Sequence, residues 1–273
     1  MYNREFREIN TPEKAYVLGL LFSDGCIYED KTYYTSLVLH EHDKYLLEMI
    51  IEKFPFFKLV KQTTETTWAA VCNQKQLVED LKLQGLVCRK SNENRMKLRM
   101  PKLKEELIHH FIRGYFDGDG SVYKQKVGDI QFDLGGTCFY MIMDIIKVLY
   151  DNRISVHTTV RYTGEGLRTI DYYVIYSSSS KVSKKFAEYI YKDCGNFFMK
   201  RKYERLNYIP VYNRLPRLVC PICHGTNTVR QGLRQMKSKL MYRGKCKDCN
   251  KQFSIAAPLN SNIQSREDEL LED

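Results

Sequence analysis

The chain has 273 residues, 43% of them hydrophobic, with 43 lysine or arginine against 33 aspartate or glutamate and a formal net charge of +10. That length suits one large domain plus a small module. No apolar run approaches the roughly 20 residues of a membrane-spanning helix, and the opening MYNREFREIN has no apolar stretch for a secretion signal, so neither a membrane partner nor export is expected.

The expectation is an intracellular, non-secreted protein, cytoplasmic or associated with the nucleoid. Residues 217–255 carry nine lysine or arginine residues against one aspartate, whereas the last 18 residues are net acidic. Basic bodies with an acidic tail point to a polyanion partner, because neutralising phosphates releases counterions and dominates affinity for nucleic acid. Of nine cysteines, four fall in two C-x-x-C pairs and the rest are scattered singly, the pattern of one metal site plus reduced thiols rather than a disulfide framework.

Taken in chain order, Pro12 opens a helix over 13–22 whose apolar residues cover most of its surface, and Asp24-Gly25 stops it. Strands follow near 26–28 and 34–39, then a helix near 43–54, two strands up to 72 and a helix over 74–83. From 102 onward the order αββαββα repeats. A helix runs through 111–116 to the stop Asp119-Gly120; strands lie near 121–123 and 130–134; a helix covers 138–150; strands lie near 156–161 and 172–176; and a last helix covers 181–191. The offset is 95 residues, from Gly19 to Gly114. Such a duplication predicts two similar halves about a pseudo-twofold axis, since either half alone would leave its motif helix half exposed.

The repeated segments are Val17-Leu18-Gly19-Leu20-Leu21-Phe22-Ser23-Asp24-Gly25 and Ile112-Arg113-Gly114-Tyr115-Phe116-Asp117-Gly118-Asp119-Gly120. A mid-helix glycine costs about 1 kcal/mol relative to alanine, so two in the same register call for close backbone-to-backbone packing of the two helices. Each helix then ends in Asp-Gly, where the glycine is expected to take a left-handed turn and the aspartate to sit at the negative end of the dipole. Two carboxylates gathered there repel one another, and a divalent cation relieves them. Asp117 has Phe22 as its counterpart, so the two halves are not equivalent.

These segments resemble the LAGLIDADG homing-endonuclease motif, present twice as in single-chain members, and the resemblance covers about residues 10–209. It implies an α+β fold in which the two sheets form a saddle in the DNA major groove. It also implies a magnesium-dependent, site-specific double-strand endonuclease, acting as a monomer on double-stranded DNA. Asp24 and Asp119 are the implied catalytic metal ligands, with Gly25 and Gly120 beside them. A lysine after the last helix of each repeat reaches the active site in that family. Gly85-Leu86-Val87-Cys88-Arg89-Lys90-Ser91 and Gly195-Asn196-Phe197-Phe198-Met199-Lys200-Arg201-Lys202 close the repeats here, so Lys90 and Lys202 are the implied lysines. A polar, water-positioning residue before each second helix is not clearly supplied by Glu41 or by Gly135-Gly136. The alternative on the same fold is a non-catalytic DNA-binding regulator or an intron-splicing RNA cofactor.

Cys220-Pro221-Ile222-Cys223 and Cys246-Lys247-Asp248-Cys249, with 22 residues between them, predict a structural zinc ribbon. Ribbons of this type usually carry glycine where His224 stands. Arg230, Arg234, Lys237, Lys239, Arg243 and Lys245 lie between the knuckles and are candidate DNA contacts. The expected organisation is a first repeat over 1–100, a second over 101–209, a linker over 210–216, the ribbon over 217–255 and a disordered acidic tail over 256–273.

Overall fold

A computed structural model describes residues 2–62, 66–90, 97–125, 129–163, 170–208, 218–236 and 239–256. The expected linker, Lys237 and almost all of the acidic tail lie outside them. The chain divides into two compact units, 1–210 and 211–273. Among the described residues no helix is long and apolar enough to cross a membrane.

The first helix, α1 (Pro12–Ser23), starts where Thr11 Oγ1 accepts the Lys14 amide at 3.3 Å and Pro12 presets the backbone of the first turn. Every residue from Ala15 to Phe22 is buried. A helix apolar all round must be wrapped on all sides, and α1 forms the centre of the core. Next come β1 (Gly25–Glu29), β2 (Tyr33–His40), a 3-10 turn (Glu41–Asp43), α2 (Lys44–Lys53), β3 (Lys58–Lys61), β4 (Thr67–Cys72) and α3 (Lys75–Leu83).

The same order follows in α4 (Glu105–Asp119), β5 (Gly120–Lys124), β6 (Ile130–Gly136), α5 (Phe139–Asp151), β7 (His157–Thr163), β8 (Ile170–Tyr176) and α6 (Ser180–Ile190). Each set of four strands makes an antiparallel sheet with the same topology, β1-β2-β4-β3 and β5-β6-β8-β7. Two αββαββα repeats are therefore present. One further helix, α7 (Lys200–Asn207), departs from the expected order. It is short and strongly polar, burying only Lys202 and Leu206, so it offers almost no apolar periodicity to read.

The second unit holds β9 (Thr228–Met236), β10 (Lys239–Cys246) and β11 (Gln252–Ala256) in the antiparallel order β11-β10-β9, with an irregularity at Arg243/Gly244. Its buried apolar cluster is Leu218, Cys220, Tyr242, Cys246 and Phe253. Among the described residues this core is small, and a unit of this size ordinarily needs a metal or other staple besides burial.

Candidate active site and metal centre

The two motif helices touch backbone to backbone. A Cβ on Gly19 would stand 2.1 Å from the Phe111 carbonyl oxygen, and one on Gly114 would stand 2.0 Å from the Tyr16 carbonyl oxygen. Tyr16 and Phe111 are themselves related by the 95-residue offset, so the two close approaches are equivalent. The approach continues to the helix ends, where a Cβ on Gly118 would lie 1.9 Å from Ser23 Oγ and 2.8 Å from Asp24 Oδ2.

Asp24 thus lies against the last turn of α4 and reaches solvent, while Asp119, the last residue of α4, is half-buried. Burial, then the neighbouring Asp24 charge, pushes the Asp119 carboxyl up to about 6 against the pull of Lys90, Lys202 and a hydrogen bond from Tyr115. Burial also raises the Asp24 carboxyl, opposed by Lys90, Lys202 and Arg201.

Gly25 and Gly120 depart from the expected left-handed turn. They open β1 and β5, and Gly120 has extended backbone (φ −86°, ψ 155°). Glycine is needed there for space. A Cβ at Gly25 would meet the Leu21 backbone at 2.5 Å, and one at Gly120 would meet the Phe116 ring at 2.2 Å, because each strand folds back across the last turn of its own helix. Among the described glycines, only Gly85 and Gly195 have positive φ.

Lys90 and Lys202 both end on these helices. Lys90 Nζ donates to the Phe22 carbonyl at 2.8 Å and to that of Ser23. Lys202 Nζ donates to the carbonyls of Phe116 at 3.0 Å, Asp117, and Gly118 at 3.2 Å. Phe22 and Ser23 correspond to Asp117 and Gly118 under the offset, so both lysines reach equivalent carbonyls. Each satisfies helix-end acceptors and places a cation at the negative pole. Burial pushes both amines down, Lys202 to about 8; Asp119 and Asp24 pull Lys90 up, and Asp117, then Asp24 and Asp119, pull Lys202 up. The neighbouring cations go elsewhere: Lys200 Nζ lies over the Tyr45 ring at 4.6 Å and Arg201 Nε donates to Asp43 Oδ2 at 2.9 Å.

Several members of this cluster escape sequence reading. Asp43 is buried and holds Arg201, whose charge acts on Asp24. Tyr115 supports Asp119 from within its own helix, where its spacing matches any core aromatic. Glu41 is exposed, and Gly135 and Gly136 sit in β6, where added Cβ atoms would meet the Tyr172 ring at 2.4 Å and the Tyr115 hydroxyl at 2.9 Å.

In the second unit, the four cysteine sulfurs lie within 4.8 Å of one another. Thiolates bound tetrahedrally to zinc at about 2.3 Å stand about 3.8 Å apart. Here Cys220 Sγ is 3.7 Å from Cys249 Sγ, and Cys223 Sγ is 3.5 Å from Cys246 Sγ, so the set fits a tetrahedral ion. The knuckles share a backbone form: the Cys220 amide bonds the Gly225 carbonyl, the Cys246 amide bonds the Lys251 carbonyl, and His224 and Asn250 turn the chain with φ of 58° and 60°. His224 thus performs glycine's conformational task and is exposed outside the cysteine cluster. Arg243 is exposed and Lys245 half-exposed on β10. Arg230 and Arg234 are in register with Gly244 and Met241, and Lys239 with Met236.

The topology and the seam define a two-repeat α+β body with paired carboxylates where its central helices end, joined in sequence to a four-cysteine zinc-ribbon-like module. Residues 106–191, which take in nearly all of α4 and run through the end of α6, match the family model of the LAGLIDADG-like domain. Solved structures similar to the chain include the LAGLIDADG meganuclease I-AabMI bound to uncleaved DNA (16% identity, 72% of this chain and 88% of that one, TM-score 0.46). Mesophilic variants of the homing endonuclease I-DmoI are also similar (15% identity, 66% and 95%, 0.45), as is the LAGLIDADG homing endonuclease I-SmaMI bound to cleaved DNA (12%, 72% and 87%, 0.46). No curated protein matches the chain.

Proposed function

We propose that the chain is a site-specific endonuclease that cuts both strands of DNA, working as a monomer whose two repeats face each other about a pseudo-twofold axis. One observation carries this reading: two helices in backbone contact bring Asp24 and Asp119 to one place, where each carboxyl is raised and a half-buried and a buried lysine, Lys90 and Lys202, stand beside them. Two desolvated carboxylates set together offer the oxygen donors that a hard divalent cation, magnesium, takes, with Asp24 and Asp119 as its protein ligands and Gly25 and Gly120 contributing backbone beside them. Such an ion supplies a polarised phosphodiester and an activated water when bound.

The residues of the chain do the rest. Lys90 and Lys202 fix the last turns of α1 and α4, so the carboxylates need no rearrangement when substrate arrives, and their charge opposes the negative charge that develops on phosphate. The sheets offer exposed polar and aromatic side chains between buried ones, as with Cys26 and Tyr28 flanking Ile27 on β1, the alternation needed to read base edges in a major groove. The second unit, folded on structural zinc, adds backbone affinity through Arg243 and Lys245, together with Arg230, Arg234, Lys237 and Lys239.

The test is selection from a randomised plasmid library with magnesium present. Wild-type protein is expected to linearise a defined subset of sequences, and Asp24→Ala and Asp119→Ala each to abolish cutting while retaining affinity for the selected site. Tight binding without cleavage of any sequence would replace this reading with that of a non-catalytic DNA regulator or an RNA splicing cofactor.

A further inference from the structure

The motif helices cross at two places related by the 95-residue offset, and the two crossings differ in chemistry. At one, Phe22 meets Phe111 edge to face, with ring centroids 5.2 Å apart. At the other, the equivalent positions are Asp117 and Tyr16, and the Tyr16 hydroxyl donates to Asp117 Oδ2 at 2.7 Å. Both residues are fully buried. A buried carboxylate is expensive, and an apolar pair demonstrably serves at the sister crossing, so packing alone does not account for it.

The same Oδ2 also accepts the Met199 amide at 2.8 Å, and Met199 is the residue that caps the start of α7. Three residues further on, Lys202 returns its amine to the carbonyls of Phe116, Asp117 and Gly118. The contacts close a ring in which the Asp117 side chain holds the start of α7, and α7 delivers Lys202 to the last turn of α4. Arg113, one turn earlier, fastens the segment leading into α7 through the Ile190 and Phe197 carbonyls at 3.0 and 2.9 Å.

In the first repeat, Lys90 reaches its two carbonyls from a turn in which Arg89 has a φ of 54°, and Phe22 stands in place of the carboxylate. The two lysines differ in donor use as well. Lys202 has all three N–H groups directed at carbonyls, whereas Lys90 has two so engaged among the described residues.

We propose that Asp117 is a positioning residue that sets the place of Lys202 beside Asp24 and Asp119 on one half of the seam only. The two DNA strands are then cut at rates whose ratio depends on Asp117, an inference that rests on the nuclease reading above. Tyr16 assists by holding the carboxylate from the opposite repeat.

The experiment uses the full-length protein on a supercoiled plasmid carrying a selected site, with each strand's end labelled separately. In Asp117→Ala the cleavage rate of one strand falls at least about tenfold more than that of the other, and nicked circles accumulate, since small misplacements of a charged group cost rate steeply. Site affinity measured with calcium in place of magnesium stays within about twofold, and Asp117→Asn, which keeps an acceptor for the Met199 amide, restores the ratio to within about threefold of wild type. Equal slowing of both strands, or no slowing, overturns the proposal. If Asp117→Ala does not fold, Tyr16→Phe is read in the same assay, with a smaller bias toward the same strand expected.

Hydrogen exchange at the Met199 amide provides a second measurement that needs no DNA. Exchange at least about tenfold faster in Asp117→Ala is expected, and unchanged exchange overturns the anchoring role. A wild-type protein that cuts nothing defeats the nuclease reading and the strand ratio together. A wild type that cuts, beside an Asp117→Ala that cuts with unaltered ratio, defeats the positioning inference alone.

Discussion

Asp119 is where the energetic conflict of the site is concentrated. Its carboxyl, pushed up to about 6 by burial and by Asp24, is better tolerated protonated than ionised. Between the ordinary value of 3.8 and about 6, the folded state therefore holds more proton than the unfolded state, and stability falls as pH rises through that window. Above about 6 the penalty is complete. Replacing the carboxylate by an amide removes it, so metal-free Asp119→Asn is expected to be more stable than wild type at pH 7.5 by about 1–2 kcal/mol, allowing for solvent screening, and equal to it near pH 4. Magnesium should reverse the order by raising the melting temperature of wild type alone. Thermal melts across pH, with and without the ion, check this; a difference that ignores pH would remove the conflict from Asp119. The two aspartates were legible in the sequence because each closes a glycine-bearing apolar helix in the same register. Asp43 and Arg201 were not, because that pair forms across 158 residues of chain and neither residue sits in a local pattern.

The seam between α1 and α4 depends on the absence of two side chains. In a solvated helix Gly→Ala is favourable by about 1 kcal/mol, yet at Gly19 and Gly114 the new methyl would stand 2.1 and 2.0 Å from a carbonyl oxygen of the facing helix. That neighbour is backbone and cannot rotate away, so the helices must separate. Gly19→Ala and Gly114→Ala are each expected to lower stability by at least about 2 kcal/mol in denaturant titration, with further loss of cutting because the carboxylates part. A stabilising effect would show that the helices do not touch there. This seam was readable because a glycine repeated at fixed offset has a steric cause. The glycines after the aspartates were readable as required residues, but the cause differed: Gly25 and Gly120 clear the preceding helical turn for a strand and do not supply positive φ. The helix α7 was hidden because it is fixed by a buried lysine and by Asp117, tertiary contacts that leave no apolar stripe.

The two units differ in what holds them, and that difference separates their responses. The first has a continuous apolar core built around α1, whereas the second has five buried apolar residues among those described, two of them cysteines of the four-sulfur cluster. The paired C-x-x-C spacing made the ribbon legible because four thiolates near one point are costly without an ion. Removing zinc with a strong chelator is expected to abolish the protection of amides in β9, β10 and β11 while leaving those of α1 and α4 protected, read residue by residue by hydrogen exchange. Simultaneous loss in both units would mean that the first depends on the metal too. The contribution of the ribbon to DNA affinity then follows from charge. Arg243→Gln with Lys245→Gln leaves the cysteines and the apolar cluster in place but deletes two cations. If both neutralise phosphates, log affinity plotted against log salt loses about 2 units of slope. Binding weakens alike on target and random DNA, because such contacts carry no sequence information. An unchanged slope with intact folding would assign those cations to a partner other than the DNA backbone.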